Sequence, residues 1–232
     1  GVKYLFIVGD LVEGIGVFPG QEDELVIKDA YAQYEKAAEL LKSIPNDVQM
    51  LIIPGNHDPL RLADPQPQVS REYAKSIYKL PNTTFLSSPS IVNIHSSKNF
   101  PGFDVLLYHG FSFFYYADKV EKLRENGGGD RADLIMKFLL QKRHLAPTHT
   151  SNLYVPDIRG DPMVIDNVPD IVASGHTHRA NALNYRNVTI ITCSCWDKIS
   201  EYAMKFGANP LPGRVPVLNL QTRDVKILKF CN

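Results

Sequence analysis

Side chains that can bind metals or move protons occur where four apolar segments of the sequence end. They are Asp10, then Asn56 with His57, then His109, and finally His176 with His178. Each apolar segment has the pattern of a buried strand. In an open α/β sheet, ligands bind in the crevice outside the carboxyl ends of the strands. We therefore expect these side chains to converge in one crevice.

Each of these residues also has an ordinary structural interpretation when it is taken alone. Asp10 could cap a turn or a helix, His109 could be a core histidine with satisfied hydrogen bonds, and Asn56 could form an Asx-turn. The same arrangement at four strand ends favours a shared functional site over several unrelated structural roles.

The types of ligand atom indicate which metal the crevice would hold. Imidazole, carboxylate and amide groups together suit borderline divalent ions such as Mn²⁺, Fe²⁺ or Zn²⁺. No cysteine belongs to the set, so a closed structural zinc site is not expected. An aspartate such as Asp10 can bridge two ions about 3.5–4 Å apart, which is the spacing in two-metal hydrolases. The set therefore predicts hydrolysis of a phosphate ester.

The elements that must position these residues alternate between strands and helices. Strands are predicted at residues 4–8, 48–53, 91–95, 103–108, 171–174, 187–195, 215–220 and 225–230. Helices are predicted at residues 29–44, 71–80 and 132–143. This order is typical of a layered α/β fold. We found no linker that marks a boundary, so we expect one domain over residues 1–232.

Composition limits the possible partners and locations. The 25 basic and 25 acidic residues balance, which argues against a broad basic surface for nucleic acid, although bound ions could supply positive charge locally. No apolar run approaches the roughly 20 residues of a membrane helix, and no signal peptide is visible, so we expect a cytoplasmic protein without a membrane partner. We expect Cys193, Cys195 and Cys231 to be buried, reduced thiols, the first two on one face of strand 187–195.

Four short motifs carry a resemblance to a known family. In order along the chain they are Gly9-Asp10, Gly55-Asn56-His57-Asp58, His109-Gly110 and Gly175-His176-Thr177-His178. This series resembles the calcineurin-like metallophosphoesterases. The resemblance implies their fold, a layered β-sandwich flanked by helices, and a centre that holds two divalent ions.

The same resemblance implies a role for each matched residue. One ion would be held by Asp10, Asn56, His109 and His176. Asp10 would also bridge to a second ion, which His178 would bind. His57 would contact the scissile phosphate as an acid or as a stabiliser of the transition state, with Asp58 as the partner that orients it.

One element of the family pattern does not occur in this sequence. The family carries an Asp-x-His pair at the end of a first strand, and no such pair precedes Asp10. We therefore expect the first strand of the fold to be missing ahead of Gly1, together with the remaining ligands of the second ion.

A narrower resemblance rests on longer blocks, which are residues 9–21, 65–67, 143–147 and 166–170. They are similar to the small subunit of archaeal family D DNA polymerase. That similarity implies a proofreading 3′–5′ exonuclease that acts on the 3′ end of a DNA primer. It implies two divalent ions, with Mn²⁺ preferred and Mg²⁺, Fe²⁺ or Zn²⁺ as alternatives. The implied partners are a large catalytic polymerase subunit and, as a further candidate, a sliding clamp.

Further candidates lie outside the four metal-binding motifs. Arg61, Arg143 and His144 could contact DNA, although Arg143 and His144 could equally complement the end of a helix. The aromatic run 111–116 could stack on unpaired bases or pack in the core. Two other functions stay open, namely a non-catalytic scaffold subunit of a polymerase and a metallophosphoesterase acting on nucleotides or phosphoproteins.

Overall fold

Two β-sheets form the frame of the chain in a computed structural model that describes residues 1–197, Met204 and 209–231. The first sheet is parallel, with the order β1 (Tyr4–Val8), β2 (Gln49–Ile53), β3 (Thr83–Phe85). The second sheet is mixed, with the order β4 (Ser90–Ile94), β5 (Phe103–Leu107), β6 (Ile171–Ser174), β8 (Val188–Thr192), β7 (Asn181–Tyr185). A hairpin of β9 (Arg214–Leu218) and β10 (Val225–Lys229) completes the described strands.

Helices cover the outer sides of the two sheets. They are α1 (Gln21–Glu24), α2 (Ala30–Leu41), α3 (Phe113–Lys119), α4 (Glu121–Glu125) and α5 (Ala132–Lys142). The buried face of α2 packs on the first sheet and that of α5 on the second. The α2 helix begins after Asp29, whose carboxylate accepts a hydrogen bond from the amide of Ala32 at 2.8 Å. None of these helices is both long and apolar enough to cross a membrane.

Besides the apolar layers under α2 and α5, an apolar layer joins the inner faces of the two sheets. Val8 and Ile53 from the first sheet share one buried cluster with Val105, Leu107 and Ala173 from the second. β2 and β6 are almost entirely buried, as expected for strands whose two faces are both covered. The predicted fold class, a layered β-sandwich flanked by helices, is confirmed.

Several predicted elements need correction. Residues 71–80 form turns and one 3₁₀ turn at Ile77–Lys79 instead of a helix, because only two hydrogen bonds of helical spacing form there before the chain tightens. The strand predicted at 187–195 ends at Thr192, so Cys193 and Cys195 do not lie along one face of a strand. Cys193 and Cys195 are half-buried and Cys231 is exposed, so the prediction of buried thiols was wrong.

A buried carboxylate ties the loop after β2 to the rest of the chain. One oxygen of Asp64 accepts hydrogen bonds from the hydroxyl of Tyr108 at 3.2 Å and from the amide of Asn152 at 2.5 Å. The backbone of Asp64 pairs with that of Leu153 and Val155. Burial raises the pKa of Asp64 to about 6 from its ordinary 3.8, because the charged form is poorly solvated there.

The raised pKa predicts how stability changes when Asp64 is replaced by Asn. The folded chain binds the Asp64 proton more tightly than the unfolded chain does. The contribution of protonated Asp64 to the free energy of unfolding is therefore present at low pH and is lost as pH rises through about 6. Relative to Asp64→Asn, the wild type should lose about 2–3 kcal/mol of unfolding free energy between pH 4 and pH 7. Denaturant titrations of both proteins across this range measure the difference. Parallel pH profiles would contradict the prediction.

Candidate metal centre

The ends of four strands meet at one place, and they come from both sheets. Asp10 follows β1 and Asn56 follows β2 of the first sheet, while His109 follows β5 and His176 follows β6 of the second. One open sheet, which the sequence suggested, would have supplied all four ends from a single layer. The site instead lies at the edge of the sandwich, between its two sheets.

Potential ligand atoms in this site are close enough to share one ion. Ligand atoms of Asp10, His109 and His176 all lie within 4.8 Å of one another. The carboxylate Oδ2 of Asp10 is 3.2 Å from Nε2 of His109, and the amide Oδ1 of Asn56 is 3.0 Å from the same nitrogen. The structure therefore brings together the four residues predicted to hold the first ion.

The hydrogen bonding of His109 fixes which of its ring nitrogens can bind a metal. Nδ1 lies 2.8 Å from the carbonyl oxygen of Val8, which can only accept, so Nδ1 carries the hydrogen. In the neutral ring, Nε2 then presents a lone pair toward the oxygens of Asp10 and Asn56. Three acceptors facing one another require a positive charge between them, either a proton or a metal ion. The donor set fits a divalent ion.

Unfavourable backbone conformations coincide with the same residues. Asp10, His176 and His178 adopt the left-handed conformation, with φ of 53°, 69° and 54°. Such conformations are costly for residues other than glycine and persist where the surrounding structure imposes them, often at functional sites. Here they occur directly after β1 and β6.

Two glycines allow the strand ends to approach closely. A Cβ atom at Gly9 would lie 2.2 Å from Nδ1 of His109, and one at Gly55 would lie 2.2 Å from Oδ1 of Asp10. No side chain can be accommodated at these distances. Glycine at both positions is therefore a requirement of the packed site.

Asp58 holds the backbone of the site and does not contact His57 as predicted. Its Oδ2 accepts hydrogen bonds from the amides of Asp10 at 3.0 Å and Gly55 at 2.8 Å, and its Oδ1 accepts one from the hydroxyl of Tyr34 at 2.5 Å. The prediction that Asp58 orients His57 is corrected, since Asp58 is directed toward the interior by these buried donors.

His57 is oriented by the loop after β1. Its Nδ1 lies 2.9 Å from the carbonyl oxygen of Glu13 and therefore donates the hydrogen, and the Glu13 carboxylate is 3.9 Å from the same nitrogen. The backbone amide of His57 donates to Oδ1 of Asp10 at 2.8 Å. Glu13 was missed as a functional residue, although it lies within the longest block that resembles the polymerase subunit.

The charges of the central residues are set by burial and by one another. Burial raises the pKa of Asp10, but the neighbouring imidazoles of His109 and His57 outweigh it and hold this pKa below its ordinary value. Burial lowers the pKa of His109, yet Asp10 outweighs burial and raises it. Burial and the proximity of His109 lower the pKa of His176 to about 3. His176 is therefore neutral at pH 7, as a metal ligand must be.

Two further titratable residues, His178 and Glu13, lie near the central ones. Burial lowers the pKa of His178, which is within electrostatic range of Asp10, His57 and Asp197. Burial, followed by the proximity of Asp197, raises the pKa of Glu13 to about 8. The lowered pKa favours the neutral imidazole of His178 at pH 7, which is the form that could bind a metal.

The residues suggested as DNA contacts have partners within the protein. The guanidinium of Arg61 donates to the carbonyl of Pro65 at 2.6 Å. Arg143 donates to the carbonyls of Ile165 and Asp166. These contacts stabilise local loops, and DNA binding by both residues stays a prediction.

His144 is also held by its neighbours. Its Nδ1 accepts a hydrogen bond from the amide of Ala146 at 2.9 Å, so Nε2 donates to the carboxylate of Asp161 at 2.9 Å. DNA binding by His144 likewise stays a prediction.

The sequence of residues 1–180 matches the family described as calcineurin-like phosphoesterase, and the chain belongs to that family. Over 99% of its length it is 42% identical to the DNA polymerase II small subunit of Methanothermobacter thermautotrophicus, covering 45% of that protein. It is 40% identical to the subunit of the same name from Pyrococcus abyssi, covering 36% of it. The chain thus spans less than half the length of these curated relatives.

Solved structures include a similar chain with low sequence identity. A crystal structure of a Vps29 single mutant from Entamoeba histolytica covers 98% of this chain and 99% of its own, with a TM-score of 0.41 and 13% identity.

Removing the hydroxyl that supports Asp58 should destabilise the chain. Tyr34→Phe takes a hydrogen bond from a buried carboxylate and should lower the free energy of unfolding by about 1.5–3 kcal/mol at pH 8. The matched control is Tyr31→Phe on the same helix, whose hydroxyl donates to Glu72 at 3.2 Å on the surface. The control should stay within about 0.5 kcal/mol of the wild type. Denaturant unfolding measures both, and equal losses would refute the role given to Tyr34.

Proposed function

We propose that the chain is the metallophosphoesterase domain of a DNA polymerase small subunit and that it acts as a 3′–5′ exonuclease with two divalent ions. The observation that carries the proposal is the convergence of Asp10, Asn56, His109 and His176 from two sheets on one point. The similarity to polymerase small subunits supports DNA as the substrate. We propose residues 1–232 as one domain.

The metal ligands and the proposed acid, His57, would have separate roles in the reaction. Asp10, Asn56, His109 and His176 would hold one ion, with Mn²⁺ as the first candidate and Mg²⁺, Fe²⁺ and Zn²⁺ as alternatives. Bound divalent ions polarise a phosphate and lower the pKa of bound water. Asp10 and His178 would contact the second ion.

His57 is suited to donate a proton or a hydrogen bond. Its Nδ1 hydrogen is committed to the carbonyl of Glu13, so the ring is held with Nε2 as the atom free to act. When His57 is protonated, Nε2 can donate to a phosphate oxygen or to the leaving group. Asp58 supports this indirectly, because it accepts a hydrogen bond from the backbone amide of Asp10, whose carboxylate Oδ1 accepts one from the backbone amide of His57.

The proposal also assigns partners. The substrate would be the 3′ end of a DNA primer, in the cytoplasm, with no membrane involved. The relatives' name supports a large catalytic polymerase subunit as the protein partner. A sliding clamp is a further candidate. The proofreading role would follow if this subunit removes nucleotides that the large subunit has misincorporated.

Metal binding should stabilise the folded chain. At 100 times its Kd, Mn²⁺ should raise the free energy of unfolding by about 2.7 kcal/mol, which is roughly 5–10 °C in Tm. His176→Ala should abolish the shift and Asn56→Ala should reduce it. The control is His95→Ala, since His95 follows β4 at the opposite end of the second sheet, and it should keep the full shift. Thermal unfolding with and without Mn²⁺ measures all four proteins. The absence of any shift in the wild type would favour the non-catalytic scaffold.

Replacing the proposed acid should remove most of the activity while metal binding remains. His57→Ala should lower kcat by about 10²–10⁴ on a primer with a 3′ mismatch in the presence of Mn²⁺. His95→Ala should leave the rate unchanged. Undiminished activity in His57→Ala would refute the role of His57. Hydrolysis of nucleotides or phosphopeptides in preference to DNA would favour the alternative phosphoesterase.

A further inference from the structure

One ring in the aromatic run after His109 remains in solvent beside the metal centre. Phe113 is fully buried and Tyr116 is only 2% exposed, and both belong to the core. Phe114, between them in sequence, is 51% exposed. The helix α3 is therefore anchored by Phe113 and Tyr116 while it presents Phe114 outward.

The position of the Phe114 ring relates it to the proposed chemistry. Its centroid lies 5.0 Å from that of the His176 ring, in an edge contact with an interplanar angle of 62°. The His176 ring is in turn 4.9 Å from the ring of His109. The exposed ring therefore packs directly against one of the proposed metal ligands.

A second contact, with Gly129, restrains the ring of Phe114. A Cβ atom at Gly129 would lie 3.0 Å from Cε1 of Phe114, so the backbone of Gly129 passes close to the ring edge. The contacts with His176 and with Gly129 therefore restrain the ring while half of it stays exposed. A restrained aromatic ring loses little entropy when a ligand stacks on it.

We propose that Phe114 stacks on an unpaired base whose own phosphate lies at the metal centre. The inference rests on the proposed function and specifies its substrate as an unpaired 3′-terminal nucleotide. A base is joined to its phosphate through one sugar, so a phosphate held beside His176 brings its base to the neighbouring exposed ring. Stacking of a base on an aromatic side chain contributes about 1–3 kcal/mol.

Stacking would give the site a preference for mispaired ends. A base within a duplex already stacks on its neighbours, so it must leave the helix before Phe114 can contact it. Unpairing is least costly for a mismatched base. The formal net charge of the chain is zero, so a contact that does not depend on charge would supply affinity that the surface electrostatics do not.

The test measures binding separately from hydrolysis. A single-stranded oligonucleotide carries the fluorescent base 2-aminopurine at its 3′ end and a phosphorothioate at the last linkage, and it is titrated with the chain in EDTA and in Mn²⁺. Phe114→Ala should weaken binding about tenfold and remove the quenching of 2-aminopurine. Phe114→Trp should restore both, and Phe114→Leu should not, because leucine is apolar but has no flat ring.

Two further variants control for indirect effects. Phe100→Ala removes an exposed ring from the turn between β4 and β5, at the end of the second sheet away from His109, and should change nothing. Gly129→Ala should displace the Phe114 ring without removing it and should weaken quenching by a smaller factor. An oligonucleotide with an abasic 3′ end should bind the wild type and Phe114→Ala equally.

Several outcomes would overturn the inference. They are an unchanged affinity in Phe114→Ala, an equal loss with the abasic end, or no quenching by the wild type. Quenching that depends on Phe114, with no hydrolysis in Mn²⁺ of the same oligonucleotide carrying an ordinary phosphodiester at the last linkage, would uphold the stacking site and reject the exonuclease. Hydrolysis that depends on His57 but not on Phe114 would uphold the exonuclease and reject the stacking site.

Discussion

Three acceptor atoms lie close together in this site, namely Nε2 of His109, Oδ2 of Asp10 and Oδ1 of Asn56. Their proximity is the constraint on which the rest of the site depends. The carbonyl of Val8 holds the hydrogen of this ring on Nδ1, so Nε2 faces the oxygens of Asp10 and Asn56 with a lone pair. Such an arrangement is stable only with a positive charge at its centre. The glycines and the left-handed residues around it are the backbone conditions that make so close an approach possible.

Buried polar residues away from the ligands maintain this approach. Asp58 binds the amides of both Asp10 and Gly55, and thereby joins the end of β1 to the end of β2. Gln66 holds the segment after β2 in place, because its amide donates to the carbonyls of Gly55 and Arg61 at 3.1 Å. The block at residues 65–67 that resembles polymerase subunits therefore contributes support for the site.

The sequence predicted the parts of the site that depend on local pattern. Apolar runs that stop at turn residues located the strand ends, and the ligand types at those ends predicted a metal. Contacts between distant segments could not be predicted. Asp58 follows His57 directly, but its direction is set by Tyr34, a residue on α2. The strand β7 was missed because it is short and has no fully buried residue, and an Asn lies on each of its faces.

Because the ligands come from two sheets, changes in the packing between the sheets would affect metal binding. The first sheet contributes Asp10 and Asn56 and the second contributes His109 and His176, so an ion at this point would cross-link the two halves of the sandwich. The apolar layer between the sheets sets the same separation. A substitution at Val105, deep in that layer, would then change the affinity for metal without touching the ion, and it would resemble a defect in a ligand.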